Sequence, residues 1–165
     1  MGQRMVMESP IGFLELTEEN GAVTKICFMK SCECAQGEYP GGQNNESEIL
    51  KEAVLQLEEY FVGERKEFSV PLAPHGTEFQ KKIWEILTQI PYGETRSYGE
   101  IAQIAGNPKA CRAVGMANHN NPIPILIPCH RVIGKSGKLT GYAGGLEKKT
   151  ALLELERSGK QSVQI

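Results

Sequence analysis

The chain has 165 residues, 40% hydrophobic and 23% charged, which suits one ordinary globular domain or two small ones. Residues 1–9 hold no apolar core of a signal peptide, and the longest run of large apolar residues, near Ile123–Ile127, is far too short to cross a bilayer. The expectation is a soluble cytoplasmic protein with no membrane partner. The net charge of −2 hides an asymmetry: residues 1–75 carry 6 Lys and Arg against 13 Glu, and residues 76–165 carry 12 against 7. A basic half joined to an acidic one points to nucleic acid.

Taken in chain order, the first half reads as strands. Met5–Glu8 and Gly12–Leu16 flank a Ser9-Pro10 turn, and Ala22–Met29 follows the Asn20-Gly21 turn signal. The Gly-, Asn- and Gln-rich stretch 35–45 reads as a loop. Ser47 or Asn45 then caps a helix whose apolar positions Ile49, Leu50, Ala53, Val54, Leu57 and Phe61 recur at helical spacing. Gly63 ends it, Phe68–Val70 reads as another strand, and Pro71–Pro74 as a linker.

The second half changes to helices. Thr77 to Gln80 has the capping-box pattern, and Phe79, Ile83, Ile86, Leu87 and Ile90 form one stripe that Pro91-Tyr92-Gly93 stops. Ser97 to Glu100 is a second capping box, opening a short helix through Ile101 and Ile104. Gly106 ends that helix, Asn107 caps the next, and Pro108 takes its first position. That helix should run to about Asn118, and the pair makes a helix-turn-helix. A last helix should span about Leu146–Arg157, with Leu152, Leu153 and Leu155 inward. The fold class is therefore mixed α/β of the α+β type. Residues 1–74 form a small antiparallel sheet with a helix, and 75–165 a mostly helical domain with the helix-turn-helix.

Five cysteines, Cys27, Cys32, Cys34, Cys111 and Cys129, are an odd number in a chain that is not small, which argues for reduced thiols. Cys32-Glu-Cys34 lacks the two-residue gap of typical zinc clips, and His75 is the only histidine in the first half. No metal is expected. Phosphate-loop patterns are absent, and no motif suggests a cofactor.

The chemistry concentrates at Cys129. Pro122, Pro124 and Pro128 stiffen the apolar segment that delivers it, and a rigid approach suits a nucleophile that must meet its target in line. His130 and Arg131 follow at once, and imidazole and cationic charge favour the thiolate. The helix before this segment carries the small residues Ala110, Ala113, Gly115 and Ala117, so its backbone can come close to another surface, and Arg112 projects from it. Beyond Cys129, residues 134–145 hold five glycines and Tyr142, which can stack on a base. Glu156 borders the apolar face of the last helix, where a carboxylate can orient His130.

These residues resemble a known family. Pro128-Cys129-His130-Arg131-Val132, Gly106-Asn107-Pro108-Lys109-Ala110, Arg112-Ala113-Val114-Gly115 and Tyr142-Ala143-Gly144-Gly145-Leu146 closely resemble motifs of the O6-alkylguanine-DNA alkyltransferases, over about Phe79 to Glu156. The resemblance implies that Cys129 accepts the alkyl group, that His130 is its base through a water with Glu156 behind it, and that Asn121 braces the turn. It implies that Arg112 fills the gap left by a flipped nucleotide, and that Tyr98 and Tyr142 line the base pocket while the Cys129 and Val132 backbones read the guanine edge. Arg96, Lys109, Ala110 and Arg131 join Arg112 in the expected DNA contacts. Ala143 replaces a hydroxyl residue of some members, which removes one donor to O6.

The expected partner is double-stranded DNA containing O6-alkylguanine, with O4-methylthymine as a second substrate. The protein is expected to act once, as a monomer and without a cofactor. Two other readings compete. A cysteine hydrolase using Cys129 and His130 lacks the local signatures of known classes. A non-catalytic helix-turn-helix regulator leaves the Cys129 segment without a purpose.

Overall fold

A computed structural model describes residues 3–29, 47–134 and 145–162. The chain divides into two compact units, Met1–Pro74 and His75–Ile165.

The first unit is a three-stranded antiparallel sheet in the order β1 (Gln3–Ser9), β2 (Gly12–Glu19), β3 (Ala22–Met29), with helix α1 (Glu48–Phe61) packed on it. Asn20 and Gly21, both at positive φ, make the tight turn between β2 and β3, where right-handed strand twist favours that backbone. Leu14, Leu16, Val23 and Ile26 are buried on the sheet, and Leu50, Ala53, Leu57 and Tyr60 on α1. Ser47 is the cap of α1, its hydroxyl accepting the Leu50 N–H. Asn45, the alternative cap, lies outside the described residues. The strand expected at Phe68–Val70 does not form. The chain instead meets β3 one step later: Val23 N–H donates to Pro71 O, and Ala73 N–H donates to Val23 O. Prolines at 71 and 74 lack the N–H needed to extend that ladder.

The second unit holds α2 (Glu78–Thr88), α3 (Tyr98–Ile104), α4 (Cys111–His119) and α5 (Leu146–Ser162), with two short parallel strands, β4 (Arg96–Ser97) and β5 (Val132–Ile133). Both expected capping boxes form, Thr77 with Gln80 and Ser97 with Glu100. Ile83, Trp84, Leu87 and Ile90 are buried, whereas Phe79 sits at the exposed edge of the stripe. Gly106 ends α3 at φ +86°. The next helix starts later than its sequence pattern predicts. Asn107 to Ala110 close a turn through Ala110 N–H to Asn107 O, and α4 opens at Cys111 without a side-chain cap. Among the described residues no helix is long and apolar enough to cross a membrane.

Candidate active site

Cys129 opens a single 3-10 turn, Cys129–Arg131, which leads directly into β5. The proline-bracketed segment before it is a knot of tight turns rather than a strand. Ile127 N–H donates to Ile123 O, Leu126 N–H to Pro124 O, and Cys129 N–H to Ile127 O. Ile125 is held at φ +74°, where a β-branched residue is strained by about 1–3 kcal/mol. The surrounding bonds over-determine that backbone. Asn121 supplies two of them, donating to Ile127 O at 2.8 Å and accepting the Ile123 N–H at 3.0 Å.

His130 is completely buried, and its Nε2 lies 2.6 Å from Glu156 Oε2. Burial pushes the imidazole pKa down, against the pull of Glu156. Burial alone would raise the Glu156 carboxyl, but hydrogen bonds and charge from His130 and Arg131 outweigh it and hold the pKa at about 2. At neutral pH the pair is therefore a neutral imidazole and a carboxylate. The carboxylate can only accept, so Nε2 carries the proton and Nδ1 keeps its lone pair. Nδ1 is buried and meets no hydrogen-bond partner among the described residues. An imidazole held in one tautomer, one residue from a thiol and with Nδ1 unpaired among the described residues, is chemically able to take a proton.

Arg131 does not do what its position in the sequence suggests. Expected on the DNA surface, it is 5% exposed and turned inward. Its Nε and NH2 groups donate to Glu156 at 2.9 Å, its NH1 donates to Ile90 O at 2.6 Å, and its guanidinium carbon stands 5.8 Å from the Tyr92 ring centre. Glu156 also accepts the Gly93 N–H at 3.2 Å. One carboxylate thus gathers the Ile90–Gly93 turn, the Cys129–Arg131 turn and α5.

The remaining expected DNA contacts are more open. Lys109 and Arg112 are exposed and Ala110 is half-buried, all at the start of α4. Tyr98 is half-buried at the start of α3, its ring 4.0 Å from where a side chain at Gly115 would begin. Arg96 leans back onto its own loop, donating to Glu94 at 3.1 Å and to Thr95 O at 2.9 Å. Val132 is buried where β5 pairs with Arg96 of β4. Tyr142 and Ala143, expected at the base pocket, lie outside the described residues, as do Cys32 and Cys34. Among the described residues no group of three metal-ligating side chains converges.

Three residues of the site escape the sequence reading. Lys149 is fully buried on α5; burial lowers its pKa, and charge on Cys129 pulls it back up. Its spacing could have revealed it, because Lys149, Leu152 and Glu156 lie three and four residues apart on one helical face. Trp84 is 2% exposed and donates from Nε1 to Ala117 O at 2.8 Å, fixing α4 against α2. Asn118 is buried and donates from Nδ2 to Cys129 O at 3.3 Å.

Comparison with known proteins agrees with this architecture. Residues 4–74 match the ribonuclease-like domain of 6-O-methylguanine DNA methyltransferase, and residues 78–158 match its DNA-binding domain. A Methanosarcina acetivorans protein named methylated-DNA–protein-cysteine methyltransferase is 55% identical over 153 residues, which is 93% of this chain and 97% of the relative. The crystal structure of Mycobacterium tuberculosis O6-methylguanine methyltransferase superposes with a TM-score of 0.80 at 48% identity, covering 96% of this chain and 94% of the other. That of Mycobacterium tuberculosis OGT in complex with DNA gives 0.81 at 45% identity, covering 95% and 94%. The chain belongs to the 6-O-methylguanine DNA methyltransferase family.

Proposed function

We infer that this protein repairs DNA by moving the alkyl group of O6-alkylguanine onto Sγ of Cys129. The observation that carries the reading is the neutral, Glu156-bound His130 beside a cysteine on a braced turn, in a domain whose relatives include one solved with DNA. His130 Nδ1 takes the thiol proton through a water. The thiolate then attacks the alkyl carbon, the carbon–sulfur bond forms as the carbon–O6 bond breaks, and the electron pair leaves on the guanine. That base recovers the proton from the imidazolium and departs neutral. The product is a thioether, which has no good leaving group, so each molecule acts once and needs no cofactor. O4-methylthymine offers the same carbon on an exocyclic oxygen and is a second substrate.

The target carbon lies inside the duplex stack, so the nucleotide must be extruded, at a few kcal/mol. Lys109 and Arg96 grip phosphates, and Arg112 fills the vacated space. One chain carries every group named, which suits a monomer. Incubation with a duplex containing O6-methylguanine, followed by mass spectrometry, tests the assignment. A single permanent methyl on Cys129 supports it. An unmodified Cys129 beside intact binding supports a regulator instead.

A further inference from the structure

The carbonyls of the two residues that flank Pro128 are both held by carboxamides, one near the end of α4 and one two residues beyond it. Asn121 holds Ile127 O, and Asn118 holds Cys129 O. The two side chains are in different states. Asn121 uses both ends of its amide. Asn118, 2% exposed, donates this one hydrogen bond, and its Oδ1 is buried with no partner among the described residues. A buried oxygen without a donor costs free energy that an apolar side chain of similar size would avoid. The polarity of Asn118 is therefore a poor stabiliser of the fold. What it accomplishes is a link from α4 to the main chain of the nucleophile.

The rest of α4 makes that link meaningful. Trp84 fixes the Ala117 carbonyl, and Val114 and Ala117 are buried. The exposed Arg112 lies six positions before Asn118 on the same short helix. We propose that Asn118 is a positioning residue that ties Cys129 to the docking helix, so that seating α4 on DNA sets the direction in which Sγ meets the alkyl carbon. The proposal rests on the alkyl-transfer reading above. In-line displacement demands alignment of sulfur, carbon and oxygen, and small misplacement lowers the rate without touching affinity. A small soluble electrophile has no such demand, because it can turn to meet the thiol.

The test compares wild type with Asn118→Leu, which keeps the size and removes the donor. A duplex carrying O6-methylguanine gives the affinity and the transfer rate at saturating DNA. Iodoacetamide labelling mapped to Cys129 gives the intrinsic reactivity of the thiol. The expected result is a saturating transfer rate about tenfold lower, with duplex affinity, labelling rate and Tm unchanged. Asn118→Ser, uncharged and too short to reach the carbonyl, should behave alike and decides the matter if the leucine variant does not fold. An unchanged transfer rate overturns the proposal, as does a loss of transfer matched by a loss of labelling or of Tm, which marks a merely structural role. Failure of the wild type to methylate Cys129 would instead refute the alkyl-transfer reading itself.

Discussion

Replacing Glu156 by glutamine changes one atom type and should disable both the fold around it and the chemistry. Four N–H donors converge on the carboxylate: His130 Nε2 at 2.6 Å, Arg131 Nε and NH2 at 2.9 Å each, and Gly93 N at 3.2 Å. A carboxamide offers one accepting oxygen, and its NH2 must face another donor whichever way it lies. The loss of charge leaves Arg131, 5% exposed, without its carboxylate counter-charge, beside the Ile90 carbonyl and the Tyr92 ring. Breaking a buried pair in this way costs about 3–5 kcal/mol, which lowers Tm by on the order of 10 °C or more. His130 also loses the acceptor that fixes its tautomer, and a general base contributes about 10²–10⁴ in rate. Thermal denaturation and single-turnover methyl transfer, measured well below the variant's Tm, read the two effects. A companion variant separates them. Glu156→Leu with Arg131→Met replaces the ion pair by apolar groups and should recover much of the Tm, but none of the transfer. A Glu156→Gln protein that melts and transfers like wild type would refute the reasoning.

Transfer should hold as pH falls through 6.5 and decline only in more acid solution, because burial keeps His130 neutral below its ordinary value; a rate-against-pH profile checks this. Glu156, held at about 2 against 4.5, contributes stability that is whole above pH 4.5 and is lost as pH falls toward 2. The Tm gap between wild type and Glu156→Gln should therefore narrow across that interval. Lys149→Met removes the buried ammonium near Cys129. Iodoacetamide labelling of Cys129 should slow at neutral pH and its pH profile should move upward; an unmoved profile would show that Lys149 does not act on the thiol. Arg112→Ala should slow repair of duplex DNA substantially while sparing reaction with free O6-benzylguanine, which needs no extrusion. Arg112→Lys should recover only part of the duplex rate, since an ammonium cannot stack as a guanidinium does. An unchanged ratio of duplex to free-base rates would remove the extrusion role from Arg112.

Local signals in the sequence proved readable where local physics decides the outcome. The Ser47 cap, the two capping boxes and the Asn20-Gly21 turn each depend on residues within a few positions of one another. Helical spacing puts Glu156 at the edge of an apolar face, which equally suits a solvated glutamate, and its place behind His130 follows from the family resemblance. Arg131 was misread because its partners are distant: Glu156 is 25 residues away and the Ile90 carbonyl 41. An arginine next to a nucleophile reads as a surface cation until a buried carboxylate is known to face it. Asn118 and Trp84 escaped for the same reason, their hydrogen bonds reaching 11 and 33 residues along the chain. The late start of α4 reflects a competition that pattern cannot settle. Asn107 can cap a helix or close a turn, and here the turn won.

The convergence on Glu156 also orders events during synthesis. Translation delivers Cys129 and His130 before α5 exists, and the Ile90–Gly93 turn waits 63 residues for the carboxylate that will hold Gly93. Contacts of such separation form late, since closing the intervening loops must precede any gain from them. Until α5 docks, His130 has no tautomer lock and the Arg131 guanidinium has no counter-charge. On the proposed reading, a nascent chain therefore emerges before the base beside its thiol is fixed in place. On the proposed alkyl-transfer reading the nucleophile works once, and late docking of α5 would keep it from reacting with stray electrophiles before it engages DNA.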